Sequence, residues 1–293
     1  MSGPVFILAR ASDPVVAAFR ALAIEKRLDV WMPDRLDEIS WSWQQSAISS
    51  VIEISDRNGK AVWNDGTLSG VWFRSLPNLT LPAGVDEIDK RYMVTEITSS
   101  FTMAWLKSRC PVVGLVPSID SALVDAGPEV RTELRRLGVT TMADRIGLFG
   151  DIVATSDDDK QELWITTSRR SGWLSDLLVS RSFARRGELD GEIVIASRSS
   201  RKEMCAAIYV ESDLQLLSLS DRRAVSAPPD EIVSAVNVVR EATHMPVGVC
   251  YFVLDSGGWL MVRLSPHIPT WLDVRLNTWV ADRLCRFFGA AAC

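Results

Sequence analysis

Short apolar runs alternate with helical apolar patterns along the chain, an arrangement typical of a mixed α/β protein. Val5 to Ala9 is an unbroken apolar run that predicts a buried strand. Asp13 and Pro14 then provide a helix N-cap and a first helical residue, and apolar residues follow at helical spacing. A second apolar run covers Leu28 to Met32. Strand, helix and strand in this order predict a small parallel sheet at the start of the chain.

The next stretch alternates in period two and predicts a β-hairpin. Ser50 to Ser55 and Lys60 to Trp63 are the two alternating runs, and Asn58-Gly59 lies between them. Asn-Gly is a strong hairpin signal because both residues tolerate a positive φ. A strand, a long amphipathic helix and a short strand are then predicted at 68–74, about 85–106 and 111–117.

The second half of the chain predicts strands, helices and a second hairpin. Successive antiparallel strands are predicted at 191–197, 203–210 and 214–219, and helices at 229–243 and 270–288. Between these helices, two apolar runs at 248–255 and 260–266 are joined by Ser256-Gly257-Gly258-Trp259, and the second run ends in a short polar loop. The stretch from Ser168 to Arg186 is rich in arginine, and its apolar residues lie at helical spacing, which indicates an amphipathic helix with a basic face.

Composition restricts the classes of function. The 293 residues are 47% hydrophobic and 24% charged, as in ordinary globular proteins. The net charge of −5 argues against nonspecific nucleic-acid binding, and no run approaches the ~20 apolar residues of a membrane span. Five cysteines without a CxxC pair favour reduced thiols in a cytoplasm and give no metal-site spacing. No nucleophile is paired with a base, so we assign no catalytic residue.

Two motifs follow one another in a distinctive order. The first is the strand Gly70–Arg74, with the sequence Gly-Val-Trp-Phe-Arg, preceded by the hairpin and followed by the long helix. The second is the hairpin from Gly248 to Pro266, which ends in a short polar loop. Together they resemble ATP-grasp ligases of the microviridin or graspetide type, which mature ribosomal peptides. The resemblance implies an ATP-grasp-like α/β (α+β) fold. Its parts would be a small pre-ATP-grasp α/β domain at 1–117 and a truncated, degenerate ATP-grasp-like domain with an antiparallel sheet at 118–293.

The resemblance also implies where magnesium ligands should lie, and those positions are altered. In the family, the first hairpin strand carries an acid and the second ends in Glu-x-Asn-Pro. We assign these degenerate metal-ligand positions to Cys250, Arg263 and Ser265. A thiol is a poor magnesium ligand, and an arginine brings a permanent positive charge to the place of a dication. We therefore expect no metal and no other cofactor.

The small number of lysines also argues against a cofactor such as ATP. The family uses lysines to hold the ATP phosphates, whereas this chain has 26 arginines and only six lysines. Between Cys110 and Cys250 the chain contains only Lys160 and Lys202. Neither of them lies in the apolar strand setting that the family uses.

Ligases of this type also hold a leader peptide, and degenerate relatives bind precursor peptides in crocagin-type pathways. The resemblance therefore implies a cytoplasmic, non-catalytic protein that binds a ribosomal precursor peptide and presents it to tailoring enzymes. A homodimer is expected from the resemblance and from the prevalence of cyclic symmetry. The candidate peptide-binding residues belong to the arginine-rich stretch: Arg169, Arg170, Trp173, Leu177, Arg181 and Arg185.

Three alternatives remain open at this stage. An active ligase with a rewired nucleotide site would use arginines for the phosphates. A small-molecule binder, or a partner that forms heterodimers with a genuine ATP-grasp enzyme, would keep the frame without binding a precursor. The arginine-rich stretch would, in the simplest case, be only a solvated basic face.

Overall fold

The structure is a computed structural model, and it divides the chain into two units, residues 1–117 with 266–293 and residues 118–265. Within these units it describes residues 3–34, 38–45, 50–56, 58–59, 62–74, 84–106, 108–114, 128–141, 146–148, 162–167, 175–180, 193–195, 204–219, 223–225, 227–255 and 258–291.

A parallel sheet begins the first unit, as predicted. Strand β1 (Val5–Leu8) leads into helix α1 (Pro14–Glu25), and strand β2 (Val30–Trp31) returns parallel to β1. Asp13 is the N-cap of α1: its Oδ1 accepts from the backbone N–H groups of Val15 and Val16 at 3.0 and 3.2 Å. The predicted cap and strand–helix–strand order are therefore confirmed, with β2 shorter than the apolar run from Leu28 to Met32.

The predicted hairpin is present within a three-stranded antiparallel sheet. Strands β3 (Ile39–Gln45), β4 (Ser50–Asp56) and β5 (Val62–Asn64) pair in that order. Gly59 has a φ of +66°, the left-handed conformation that an Asn-Gly turn supplies. Strand β3 was not predicted from the sequence, although its polar and apolar residues alternate.

Strand β6 (Gly70–Phe73) adds to the other edge of β1, and β7 (Val112–Val113) follows it, so the parallel order is β2-β1-β6-β7. Helix α2 (Glu87–Leu106) connects β6 to β7 at the place where a long helix was predicted. One layer of the core lies between this helix and the strands, with Phe6, Phe73, Phe101 and Trp105 buried together. Phe101 and Trp105 contact each other edge to face, at 6.0 Å between ring centroids.

Helix α5 (Val274–Ala291), the last element of the chain, belongs to the first unit. It packs along α1: the Phe19 and Phe288 rings meet at 6.0 Å, and Lys26 pairs with Asp282. The predicted domain limits, 1–117 and 118–293, differ from this division, because Phe288 of α5 is buried against Phe19 of α1. The observed second unit ends at 265.

The described part of the second unit contains a six-stranded sheet. Helix α3 (Pro128–Arg136) leads into its edge strand β8 (Val139–Thr141). The strand order is β15-β14-β13-β16-β17-β8, in which only the pairing of β8 with β17 is parallel. The other five strands and the helix that precedes β16 are β13 (Met204–Val210), β14 (Asp213–Ser218), β15 (Arg223–Ala224), α4 (Asp230–Thr243), β16 (Val247–Asp255) and β17 (Gly258–Ser265).

A smaller antiparallel sheet corrects the prediction for the arginine-rich stretch. Its strands are β9 (Ile146–Leu148), β10 (Glu162–Thr167), β11 (Ser175–Ser180) and β12 (Ile193–Ile195), in the order β11-β10-β12-β9. The described part of Ser168–Arg186 is therefore a strand, β11, and not the helix that its spacing indicated. The run Leu177-Leu178-Val179 suits both periods, and the full-length pairing of β11 with β10 decides between them.

No helix in the described ranges is long and apolar enough to cross a membrane.

Replacing Gly114 by alanine tests the close approach between the end of β7 and β6. Gly114 has a φ of +85°, and an added Cβ would lie 1.9 Å from the carbonyl oxygen of Phe73. We expect the free energy of unfolding to fall by about 3 kcal/mol or more, because overpacking and a left-handed alanine act together. Urea denaturation measures the loss.

Gly59→Ala is the matched control. Gly59 also has a positive φ, but no atom of the described residues lies within 4 Å of its Cβ position. Only the backbone cost of about 1 kcal/mol is expected there. Equal losses for the two variants would show that the contact with Phe73 is unimportant.

Candidate functional site

The hairpin of β16 and β17 contains the residues assigned to degenerate metal positions. The two strands are antiparallel, with Cys250 opposite Leu264 and Tyr251 opposite Arg263. A bulge follows, since Phe252 is opposite Met261 and Val262 has no Cα partner on β16. Directly opposed positions in an antiparallel pair belong to the same face of the sheet. Positions 250 and 263 therefore belong to opposite faces.

Cys250 lies on the face that is covered by α4. It is fully buried and pairs with Ala207 of β13, two positions from Tyr209 on the same face. The Tyr209 hydroxyl lies only 2.6 Å from where a Cβ on Gly248 would be, so the tyrosine ring covers Gly248 beside Cys250. Thr243 of α4 lies close to the Tyr209 hydroxyl, while its own hydroxyl donates to the carbonyl of Val239 at 2.8 Å. Burial raises the pKa of the Cys250 thiol, so the thiol stays protonated and unreactive.

Tyr251 of β16 lies on the same face of the sheet as positions 263 and 265. Ser265 pairs with Val249, which shares this face with Tyr251. Tyr251 packs against the buried residues Met204, Val253 and Leu260, which all belong to the same face. Positions 263 and 265 therefore share one face of the sheet, and Cys250 belongs to the other face. Ligands of one metal ion need to lie on the same face, so these three positions do not form one metal site.

The residues on this face offer poor ligands for magnesium. Position 249 is valine, 251 is tyrosine, 263 is arginine and 265 is serine, so these four positions contain no carboxylate. Magnesium prefers carboxylate oxygens in near-octahedral geometry. Within the described residues, no group of three or more His, Cys, Asp or Glu side chains is placed to hold a metal ion.

A second candidate site is a recess in the first unit, where strand β6 ends. Its volume is about 460 Å³, within the usual size range of small-ligand sites. We name it the Arg74 recess, and its lining residues are Arg10, Ser12, Asp13, Pro14, Arg74, His267, Ile268 and Thr270. In the sequence, Arg74 stood out only as the end of the Gly70–Arg74 motif, and nothing connected it with the other lining residues.

Arg74 forms the floor of the recess through a buried ion pair. Its Nε and Nη2 donate to Asp13 Oδ2 at 3.0 and 2.6 Å, and its Nη1 donates to the carbonyl of Ile268. Both charged side chains are at least 90% buried. Burial lowers the pKa of Arg74 and the Asp13 charge opposes this, so the guanidinium remains protonated at neutral pH.

The predicted peptide-binding residues fall almost entirely outside the described residues. Leu177 is described as a position in β11, opposite Ile165 of β10. The other five candidates lie outside the described ranges: Arg169, Arg170, Trp173, Arg181 and Arg185. Lys160 and Lys202 also lie outside them.

Comparisons with known proteins show the fold. No protein-family model matches the sequence, and no curated protein matches it. Solved structures match over nearly the whole chain. Macrocyclase MdnC from Microcystis aeruginosa MRC, bound with precursor peptide MdnA, has a TM-score of 0.67 at 11% identity, covering 98% of this chain and 99% of that chain.

Two further ATP-grasp ligases are similar. A ligase from Chryseobacterium gregarium is associated with ribosomally synthesised and post-translationally modified peptides (RiPPs). In complex with ADP and a leader and core peptide, it has a TM-score of 0.66 at 11% identity, covering 98% and 97% of the two chains. PsnB complexed with precursor peptide PsnA2 and AMPPNP has a TM-score of 0.64 at 12% identity, covering 100% and 99%. The predicted ATP-grasp fold is confirmed.

Introducing aspartate at Cys250 and at Tyr251 tests the assignment of faces. Cys250→Asp buries a carboxylate among apolar groups under α4, and we expect a loss of about 4 kcal/mol or more, or failure to fold. Tyr251→Asp removes a half-buried ring, for which a loss on the order of 2 kcal/mol is expected. Chemical denaturation compares the two, and a larger loss for Tyr251→Asp would reverse the assignment.

Asp13→Asn tests the ion pair beneath the Arg74 recess. Asparagine is an equally good N-cap, so the main change is a buried guanidinium without its counter-ion. Breaking a buried pair in this way costs about 3–5 kcal/mol, which urea denaturation would detect.

Asp282→Asn is the control for this change. Asp282 pairs with Lys26 and Arg286 at a partly exposed site, where the expected loss is below about 1 kcal/mol. Similar losses in the free energy of unfolding for the two variants would mean that the Asp13–Arg74 pair contributes no more stability than an exposed ion pair.

Proposed function

We propose that this chain is a non-catalytic, peptide-binding protein of an RiPP pathway, which holds a precursor peptide and presents it to tailoring enzymes. The observation that carries the proposal is the hairpin face, where Val249, Tyr251, Arg263 and Ser265 occupy positions that opposed strands bring together. This face keeps the strand pairing and lacks the carboxylates that magnesium requires.

Electrostatics supports the same conclusion. Arginine stays protonated at all ordinary pH values, so residue 263 adds a fixed positive charge to the hairpin. A dication a few ångströms from such a charge is repelled by several kcal/mol, even at an effective dielectric constant of about 20. A peptide has no such requirement, because apolar contacts and charged anchors are enough to bind it.

The neighbours support a peptide as the ligand. MdnC is bound with precursor peptide MdnA, and PsnB is complexed with precursor peptide PsnA2. This chain covers 98–100% of its own length in both alignments, so the frame that surrounds a peptide in those proteins has a counterpart here. A cytoplasmic location, a homodimer and delivery to tailoring enzymes remain parts of the proposal.

The main alternative is an active ligase with a rewired nucleotide site. The observation in its favour is that similar structures contain ADP or AMPPNP. Such a ligase would need phosphate-binding cations and metal ligands in new places. Nucleotide binding therefore separates the two functions directly.

Titration calorimetry with ATP, with and without magnesium, is the decisive measurement. We expect no saturable heat at millimolar ATP, because the hairpin face lacks metal ligands. PsnB measured in the same buffer is the positive control for nucleotide binding. Magnesium-dependent heat or ATP consumption by this chain would overturn the non-catalytic assignment.

The peptide is tested in the same instrument. Precursor peptides encoded beside the gene are expected to bind with a Kd on the order of micromolar or tighter, without nucleotide. Scrambled peptides of equal composition are the control. If no encoded precursor binds more tightly than its scrambled version, the peptide-binding function is wrong.

A further inference from the structure

The Arg74 recess combines a cavity with an unequal set of charges. Arg74 and Asp13 neutralise each other on its floor, at 2.6 Å. Arg10 is exposed and lies in the wall, and among the described lining residues Asp13 is the only acid. Arg10, Arg74 and Asp13 together give the described lining a net charge of +1. A recess with this balance favours one negative charge.

Hydrogen-bond donors are also available in the recess. A guanidinium has five N–H groups, and the described partners Asp13 and Ile268 accept from three of them. Ser12 and Thr270 add exposed hydroxyl groups to the wall. The backbone N–H groups of Val15 and Val16, at the N-terminus of helix α1, are not among these donors, because they already donate to Asp13 Oδ1.

The floor of the recess is held in place before any ligand arrives. Asp13 and the Ile268 carbonyl fix the guanidinium plane, and the Trp72 ring lies 5.9 Å from its central carbon. An arginine fixed in this way loses little side-chain freedom on binding, so more of the interaction energy remains as affinity. The mouth, with Arg10, remains accessible to solvent.

We propose that the Arg74 recess binds a single carboxylate group of a peptide, with Arg10 supplying the unneutralised charge and Arg74 the fixed donors. The source of the carboxylate rests on the proposed function, since a bound precursor would present it. A phosphate dianion fits less well, because it would leave a net negative charge beside buried Asp13. A monoanion balances the described charges.

A small probe tests the recess without the precursor. The full chain, labelled with ¹⁵N-arginine, is titrated with N-acetyl-glutamate N′-methylamide, and the Arg74 Nε–H resonance is identified by its loss in Arg74→Lys. We expect a saturable shift with a Kd on the order of millimolar. The isosteric glutamine derivative is the neutral control and should cause no saturable shift.

Variants locate the binding charge. Arg10→Gln is expected to weaken the glutamate probe roughly tenfold, and Ser12→Ala two- to threefold. Arg20→Gln removes the same charge from an exposed position further along α1 and should change the affinity less than twofold. Equal weakening by Arg10→Gln and Arg20→Gln, or equal shifts with the glutamine probe, would overturn the proposal. Tighter binding of inorganic phosphate than of the glutamate probe would overturn the choice of a monoanion.

The precursor identifies which carboxylate is bound. If the C-terminal carboxylate enters the recess, amidating the peptide C-terminus weakens binding about tenfold in the wild type and has little effect in Arg10→Gln. If an acidic side chain of the precursor enters the recess, one internal Glu→Gln or Asp→Asn change weakens binding about tenfold in the wild type and has little effect in Arg10→Gln. A precursor that binds equally well after all these changes, while the probe still binds, would refute the peptide source of the carboxylate. A precursor that does not bind at all would refute the proposed function and leave the small-anion site standing.

Discussion

The first unit depends on one buried ion pair between residues far apart in sequence. Asp13 uses Oδ1 to cap α1 and Oδ2 to hold Arg74 at the end of β6, and Arg74 in turn donates to the carbonyl of Ile268 before α5. One carboxylate and one guanidinium thus join the start of a helix, the end of a strand and the segment that leads to the last helix. A buried charge without its partner is costly, so these segments must meet for either residue to be stable.

In the second unit, strand register has the corresponding role. The period of two along β16 places Cys250 under α4 and Tyr251 on the other face, and the bulge at Val262 then brings position 263 opposite Tyr251. A shift by one residue would move every side chain of the strand to the other face. Apolar residues are buried on both faces of β16, so neither face tolerates such a shift.

The sequence predicted what is encoded locally. The Asp13 cap, the Asn58-Gly59 hairpin and the last hairpin carry their signals within a few residues, and the structure contains all of them. The Arg74 recess could not be predicted, because its partners lie 61 and 194 positions away. Cys250 was grouped with Arg263 and Ser265 by resemblance alone, and the bulge that decides the register has no clear sequence signal. The grouping of the final helix with the first unit could not be foreseen, because its partner, α1, lies at the opposite end of the chain.

The tyrosine and arginine at positions 251 and 263 have a physical consequence for the proposed function. Two carboxylates about 4 Å apart repel by roughly 4 kcal/mol at an effective dielectric constant of about 20, unless a cation lies between them. A protein that does not bind magnesium therefore gains stability when such residues are replaced. Tyr251 instead contributes apolar contact with Met204, Val253 and Leu260. Under the proposed function, the hairpin needs no bound cation to offset such repulsion, because apolar packing and strand register hold it together.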